Sequence, residues 1–142
     1  LKLSLELDVP VIIHDREAHD DCLKLLKKYK PKGVMHCFSG SVETAKEILK
    51  LGMYIGLGGV VTFKNARKTV EVAEMLPLDR LLLETDCPYL APVPFRGKTC
   101  HSGHIAFVAE RIAEIRGTTK EEIVSVTNKN AKKLFSCPWL GT

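Results

Sequence analysis

Short aliphatic runs alternate along the chain with longer amphipathic stretches. The short runs, rich in β-branched or other aliphatic side chains, cover residues 11–13, 34–35, 54–57 and 81–83. Alternation of this kind is typical of βαβ units, in which helices pack on a parallel sheet. The pattern therefore predicts an α/β fold in which about four parallel strands alternate with helices.

The stretches between these runs carry helix signals. Apolar residues recur at helical spacing over 18–29, 66–75 and 103–116, and Ser41 is a suitable N-cap for a helix that ends at Gly52. Gly117 is placed to end the helix over 103–116. The sequence Thr119-Lys120-Glu121-Glu122 predicts a capping box at which another helix begins, and residues 130–135 continue as a last helical segment before a tail from 137 to 142. The first residues resemble the end of a helix.

Length and composition limit the class of protein. The chain has 142 residues, 45% hydrophobic and 27% charged, and no apolar run of the length that a membrane span needs. These values favour one globular unit over residues 1–142 and exclude collagen-like, disordered and membrane-spanning classes. A closed (β/α)₈ barrel takes about 250 residues, so a complete one does not fit. The net charge of +4 does not decide the function.

The cysteines indicate a reducing compartment. There are five of them, an odd number, and none forms a C-x-x-C pair. Because the sequence contains no visible secretion signal either, reduced thiols in the cytoplasm are the simplest interpretation.

Three predicted strands end in residues that can bind a metal ion. His14 follows the first strand, His36 follows the second, and Asp86 lies just after the fourth. The carboxyl ends of parallel strands meet at one rim, so we expect these side chains to converge although they are far apart in sequence. Imidazole and carboxylate groups are ligands of divalent ions, and three of them leave a coordination position open for water or substrate.

Several segments around these positions resemble the TatD family of metal-dependent deoxyribonucleases, which belongs to the amidohydrolase-like TIM barrels. The segments are Pro10-Val11-Ile12-Ile13-His14-Asp15-Arg16, His36-Cys37-Phe38-Ser39-Gly40, Leu83-Glu84-Thr85-Asp86-Cys87-Pro88-Tyr89-Leu90, Arg96-Gly97-Lys98 and Asn130-Ala131-Lys132-Lys133-Leu134-Phe135. The resemblance implies that the chain is the carboxyl-terminal half of such a barrel, with strands five to eight. The His-x-His of strand one and the Glu of strand four in that family have no counterpart here.

Roles for individual residues follow from the resemblance. His14 and His36 would bind one or two divalent ions, Mg²⁺, Mn²⁺ or Zn²⁺, and Asp86 would bind metal or take the proton from the attacking water. Glu84 shares a strand face with Asp86, so it would either orient a ligand or serve as a buried structural carboxylate. Arg96 and Lys98 would contact substrate phosphates.

Other candidate residues have simpler interpretations. We expect Arg16 to form an ion pair with Asp15 or Glu17, and His19 to be a surface histidine. Cys37 is interpreted as a small buried hydrophobic residue rather than a nucleophile. His101 and His104 have no standard zinc spacing, so they are assigned to a variant solvent loop.

Three functions are consistent with the sequence. The resemblance favours a metal-dependent hydrolase, a deoxyribonuclease that cleaves DNA phosphodiester bonds with an activated water. Related barrels cleave small amides and esters with similar ligands, so a small-molecule hydrolase is the enzymatic alternative. A third possibility is a non-catalytic half-barrel, whose open edges would favour self-association or pairing with a missing amino-terminal half. No membrane partner is expected.

Overall fold

The fold is taken from a computed structural model that describes residues 1–135. Its elements are α1 (Lys2–Glu6), β1 (Val11–His14), α2 (His19–Tyr29), β2 (Gly33–His36), α3 (Val42–Lys50), β3 (Tyr54–Leu57), α4 (Arg67–Met75), β4 (Leu81–Leu83), α5 (Ile105–Arg116) and α6 (Lys120–Phe135). The strands form a parallel sheet in the order β1-β2-β3-β4. The predicted α/β fold with parallel strands is confirmed. The predicted tail over 137–142 lies outside the described residues.

The two faces of the sheet have different partners. On one face Met35 pairs in register with Ile55, and Ile55 with Leu81; all three are buried against the helices in the main core. This core includes fully buried residues from α2, α3, α4, α5 and α6, namely Leu26, Ile48, Val72, Val108, Ile112 and Ile123. On the other face Val34, Tyr54 and Leu82 pack under Leu134, near the end of α6.

Helix ends agree with the sequence signals at most positions. The Ser41 hydroxyl accepts a hydrogen bond from the Thr44 N–H at 3.2 Å, and Gly52 and Gly117 both have positive φ just after their helices. Of the two hydrogen bonds of the capping box predicted at Thr119, only one forms. Its hydroxyl caps the Glu122 N–H at 3.2 Å, but the Glu122 carboxylate accepts from the Thr118 hydroxyl instead.

One predicted helix boundary was wrong. Residues Ser102–His104 form a short 3₁₀ turn, so α5 begins at Ile105 rather than near 103. The helical segment predicted over 130–135 is confirmed as the end of α6, which runs without a break from Lys120 to Phe135. Other 3₁₀ turns cover Gly59–Thr62, after β3, and Leu78–Arg80, before β4.

Asn130 fixes α6 to the amino end of β4. Its side chain is 6% exposed, and Nδ2 donates to the carbonyl oxygens of Leu78 at 2.7 Å and Leu81 at 2.8 Å. Glu84 and Asp86 follow directly after β4. The two hydrogen bonds of Asn130 hold this strand in place, and so they also help to position the two carboxylates.

The sheet is open within residues 1–135, with β1 and β4 as its two edges. Near the β1 edge Ile12 is 64% exposed, and Leu3, Leu7 and Val9 are also exposed. No helix in the described part of the chain is both long enough and apolar enough to span a membrane. That the sheet is half of a barrel remains a prediction.

Candidate functional site

The predicted rim cluster forms at the carboxyl ends of the strands. His14 and His36 are register partners at the ends of β1 and β2, and their ring centroids lie 5.8 Å apart. Asp86 approaches from the segment after β4, with its Oδ1 3.2 Å from Nε2 of His36. The positional rule for parallel strands therefore brings these three side chains into one neighbourhood.

Glu84 holds His36 from the opposite side. Its Oε2 lies 2.6 Å from His36 Nδ1, and its Oε1 accepts the Cys37 N–H at 2.6 Å. Both nitrogens of His36 thus face a carboxylate oxygen, Nδ1 facing Glu84 at the shorter distance and Nε2 facing Asp86 at the longer one. Gly56 leaves room for this contact, because a Cβ there would lie 2.8 Å from Glu84 Oε2.

Burial of the Glu84 carboxyl raises its pKa above the ordinary value, although His36 and the Cys37 N–H act in the opposite direction. The pKa of the neighbouring Cys37 thiol is raised to about 12, mainly by burial and then by the carboxylates of Glu84 and Asp86. A thiol in this environment stays protonated, which agrees with the interpretation that Cys37 is not a nucleophile.

The donor atoms of the cluster suit a divalent ion. Two donors that bind the same ion at about 2.1 Å each lie about 3.0 to 3.4 Å apart, and the His36–Asp86 distance of 3.2 Å falls in that interval. A histidine whose other nitrogen is held by a carboxylate is the usual arrangement of a metal ligand. Within residues 1–135 no three His, Cys, Asp or Glu side chains form a group that could hold a metal ion. The residues present therefore fit part of a ligand set.

The loop after β1 differs from the prediction. His19 Nδ1 pairs with Asp15 Oδ2, and the His19 side chain remains 34% exposed whereas that of Asp15 is 4% exposed. Asp15 also accepts the Ala18 N–H at 3.0 Å. Arg16 makes no ion pair with any residue in the described part of the chain, so the expected pairing with Asp15 or Glu17 was wrong.

A pocket of about 670 Å³ opens over the cluster. His14, Asp86 and Arg16 line its polar part, and Val60, Tyr89 and Leu90 line its apolar part. Sequence reasoning missed Asp15, His19 and Tyr89 as pocket residues. For Asp15 and His19 a signal was available, because they are four residues apart and Asp15 directly follows the candidate ligand His14.

Arg96 and Lys98 do not line this pocket. The Arg96 guanidinium lies 4.3 Å from the centre of the Phe63 ring, beside a neighbouring groove, and Lys98 Nζ lies 5.9 Å from the centre of the Phe95 ring. Both cations are exposed. Their contact with substrate remains a prediction.

The histidines of the following loop take part in an aromatic cluster. His101 is exposed as expected, with its ring centroid 3.8 Å from that of His104. His104 is only 5% exposed and stacks on Phe95 at 4.5 Å, so the assignment of His104 to a solvent loop was wrong. Burial lowers the pKa of His104 and favours its neutral form.

Comparison with known proteins identifies the family. Residues 1–136 match the family model described as TatD related DNase. The chain belongs to the TatD family. The chain is 49% identical over 138 residues to the uncharacterized metal-dependent hydrolase YabD of Bacillus subtilis, and 46% identical over 138 residues to YcfH of Escherichia coli K12, which has the same description.

A solved TatD homologue has the same fold. The crystal structure of YjjV from Escherichia coli K12 superimposes with a TM-score of 0.89 at 37% identity, covering 96% of this chain and 54% of that one. The alignment with YabD covers 95% of this chain and 54% of the relative. The chain thus spans about half the length of these TatD relatives.

Proposed function

We propose that this TatD-family protein is a metal-dependent hydrolase that cleaves phosphodiester bonds of DNA with an activated water. The observation that supports the proposal most directly is the position of His36, held by Glu84 on one side and facing Asp86 on the other, beside His14. Relatives that share nearly the whole of this chain are named metal-dependent hydrolases.

Each residue of the cluster has a defined task in this proposal. His14 and His36 would bind the metal ion through ring nitrogens. Glu84 would accept the proton of His36 Nδ1, which leaves the Nε2 lone pair for a metal ion shared with Asp86. Asp86 is 33% exposed at the rim, where it can bind the metal ion and can accept a proton from the attacking water. A divalent ion bound there, Mg²⁺, Mn²⁺ or Zn²⁺, would supply Lewis acidity at a phosphoryl oxygen and lower the pKa of water.

The pocket has features that suit a leaving group or a base. Val60, Leu90 and the 70% exposed Tyr89 provide an apolar and aromatic wall next to the polar cluster. Aromatic side chains commonly stack on nucleobases. The same wall also favours the second candidate function, hydrolysis of a small apolar ester or amide, for which it would hold the acyl or leaving group.

Activity on two substrates separates these candidates. Purified full-length protein is depleted of metal and supplied with Mg²⁺, Mn²⁺ or Zn²⁺, and the hydrolysis of single-stranded DNA and of p-nitrophenyl acetate is measured. We expect metal-dependent DNA cleavage that is lost in His36→Ala and retained in the matched control His101→Ala. Hydrolysis of the acetate ester alone, or DNA cleavage equal in the two variants, would contradict the proposal.

A further inference from the structure

A second groove of about 450 Å³ lies on the same rim, beside the pocket over the histidines. We call it the cationic groove; its walls come from the turn after β3, the start of α4 and the loop after β4. Its charged lining residues are Arg67, Lys68 and Arg96, and neither Asp nor Glu is among the residues that line it. An anionic ligand is therefore the type of molecule that this groove suits.

Two of the three cations are free to meet a ligand. Arg67 is engaged, because its Nε lies 2.8 Å from Glu71 Oε1. Lys68 and Arg96 make no ion pair with any residue between positions 1 and 135. Arg96 is also oriented, since its guanidinium lies 4.3 Å from the centre of the Phe63 ring. A guanidinium stacked on a ring face keeps its N–H edges available for phosphate oxygens.

The walls of the groove are fixed to each other. The Thr62 hydroxyl donates to the Gly59 carbonyl at 2.7 Å and accepts the Val93 N–H at 2.9 Å, which joins the turn after β3 to the loop after β4. The two segments also meet at Gly59, where a Cβ would lie only 2.1 Å from the Leu90 carbonyl oxygen. The cations are thus presented by segments that hydrogen bonds and close packing hold in place.

The cationic groove adjoins the pocket over the metal-ligand candidates. Ser39 and Val60 line both cavities, so one extended molecule can occupy the two together. The segments after β3 and β4, which are neighbouring strands, both contribute to the groove, so its cations lie on the same rim as the pocket. Phosphate contacts of such cations position a nucleic-acid strand without reading its sequence.

We propose that the cationic groove binds a backbone phosphate of single-stranded nucleic acid, away from the phosphate that is cleaved, through Lys68 and Arg96. This inference rests on the proposed function, because that proposal identifies the bond that is cleaved. The substrate class that follows is a chain with at least two phosphates. A substrate with a single phosphate would leave this groove empty.

The test measures binding without catalysis. Full-length protein is titrated into a fluorescein-labelled thymidine oligonucleotide with EDTA present, and fluorescence anisotropy gives the Kd at a series of NaCl concentrations. The variant is Lys68→Ala. The matched control is Lys129→Ala, which removes another exposed lysine from α6, outside the lining of both cavities.

We expect Lys68→Ala to weaken binding about fivefold and to make the slope of log Kd against log salt shallower by about 0.7, the value for one contact to a single strand. Lys129→Ala should match the wild type. Equal Kd values and slopes in the two variants would overturn the inference.

Hydrolysis by the wild type is measured separately with bis(p-nitrophenyl) phosphate, which carries one phosphate. Cleavage of this diester together with equal binding in the two variants would overturn the groove assignment and leave the proposed function intact. Weakened binding in Lys68→Ala, without cleavage of either the diester or DNA by the wild type, would support the groove assignment and contradict the proposed function.

Discussion

Replacing Glu84 with glutamine should weaken metal binding although the side chain barely changes in size. The amide oxygen of the new side chain could still accept the Cys37 N–H, a contact that measures 2.6 Å to Glu84. Its NH₂ group would then face His36 Nδ1, which Glu84 Oε2 meets at 2.6 Å. Two donors would oppose each other, so the proton of His36 would move to Nε2, the atom that faces Asp86.

The expected size of the effect follows from this contact. The Glu84 and His36 side chains are 17% and 20% exposed, so solvent screens their interaction only in part. A hydrogen bond to a charged group contributes about 1.5 to 3 kcal/mol, and each 1.4 kcal/mol is a factor of about ten in affinity. We therefore expect metal affinity to fall about 10- to 100-fold, in the range known for such supporting carboxylates.

Isothermal titration calorimetry of full-length protein with Mn²⁺ measures this change directly. Glu121→Gln is the matched control, because Glu121 is exposed on α6, away from the rim. Thermal unfolding followed by circular dichroism checks that the folds of both variants are retained. A Kd for Glu84→Gln within about twofold of the Glu121→Gln value would show that Glu84 does not set the tautomer of His36.

Three further predictions concern stability and are measured by urea denaturation. Asn130→Ala removes two buried hydrogen bonds to backbone carbonyls and should lower the free energy of unfolding by about 2 to 4 kcal/mol. Its control, Asn128→Ala, lies at an exposed position of the same helix and should change that free energy by less than about 0.5 kcal/mol. Ile55→Ala truncates a fully buried strand residue and should cost about 2 to 5 kcal/mol. Gly59→Ala places a Cβ 2.1 Å from the Leu90 carbonyl oxygen and should cost at least about 1 kcal/mol. Values near zero for Asn130, Ile55 or Gly59 would contradict the packing described at that position.

The strands and most helices were predictable because their signals are local. The β-branched runs and the helical spacing depend on neighbours within a few residues, and Ser41, Gly52 and Gly117 mark helix ends by their own backbone chemistry. The convergence of His14 and His36 was also predictable, since parallel strands place their carboxyl ends on one rim.

The errors arose where contacts between individual side chains decide the outcome. Arg16 was expected to pair with Asp15, but His19, one helical turn further on, already holds that carboxylate. His104 is buried because Phe95 folds back onto it from an irregular loop, and no periodicity connects the two positions. The contact of Glu84 with both His36 and the Cys37 N–H depends on side-chain geometry, which the sequence pattern does not contain.

Under the proposed function, the rim cluster is the catalytic centre of a TatD-type hydrolase. Metal-dependent cleavage of single-stranded DNA is measured for two full-length variants, Asp86→Asn and Asp79→Asn, and their kcat values are compared. The substitution is the same in both, but Asp86 lies after the carboxyl end of β4 and Asp79 lies before its amino end. Asp79 is 74% exposed at the amino end, so its variant should retain wild-type kcat. We predict that Asp86→Asn lowers kcat at least about 100-fold, as loss of a proton acceptor does. Equal kcat values for the two variants would show that Asp86 has no catalytic role.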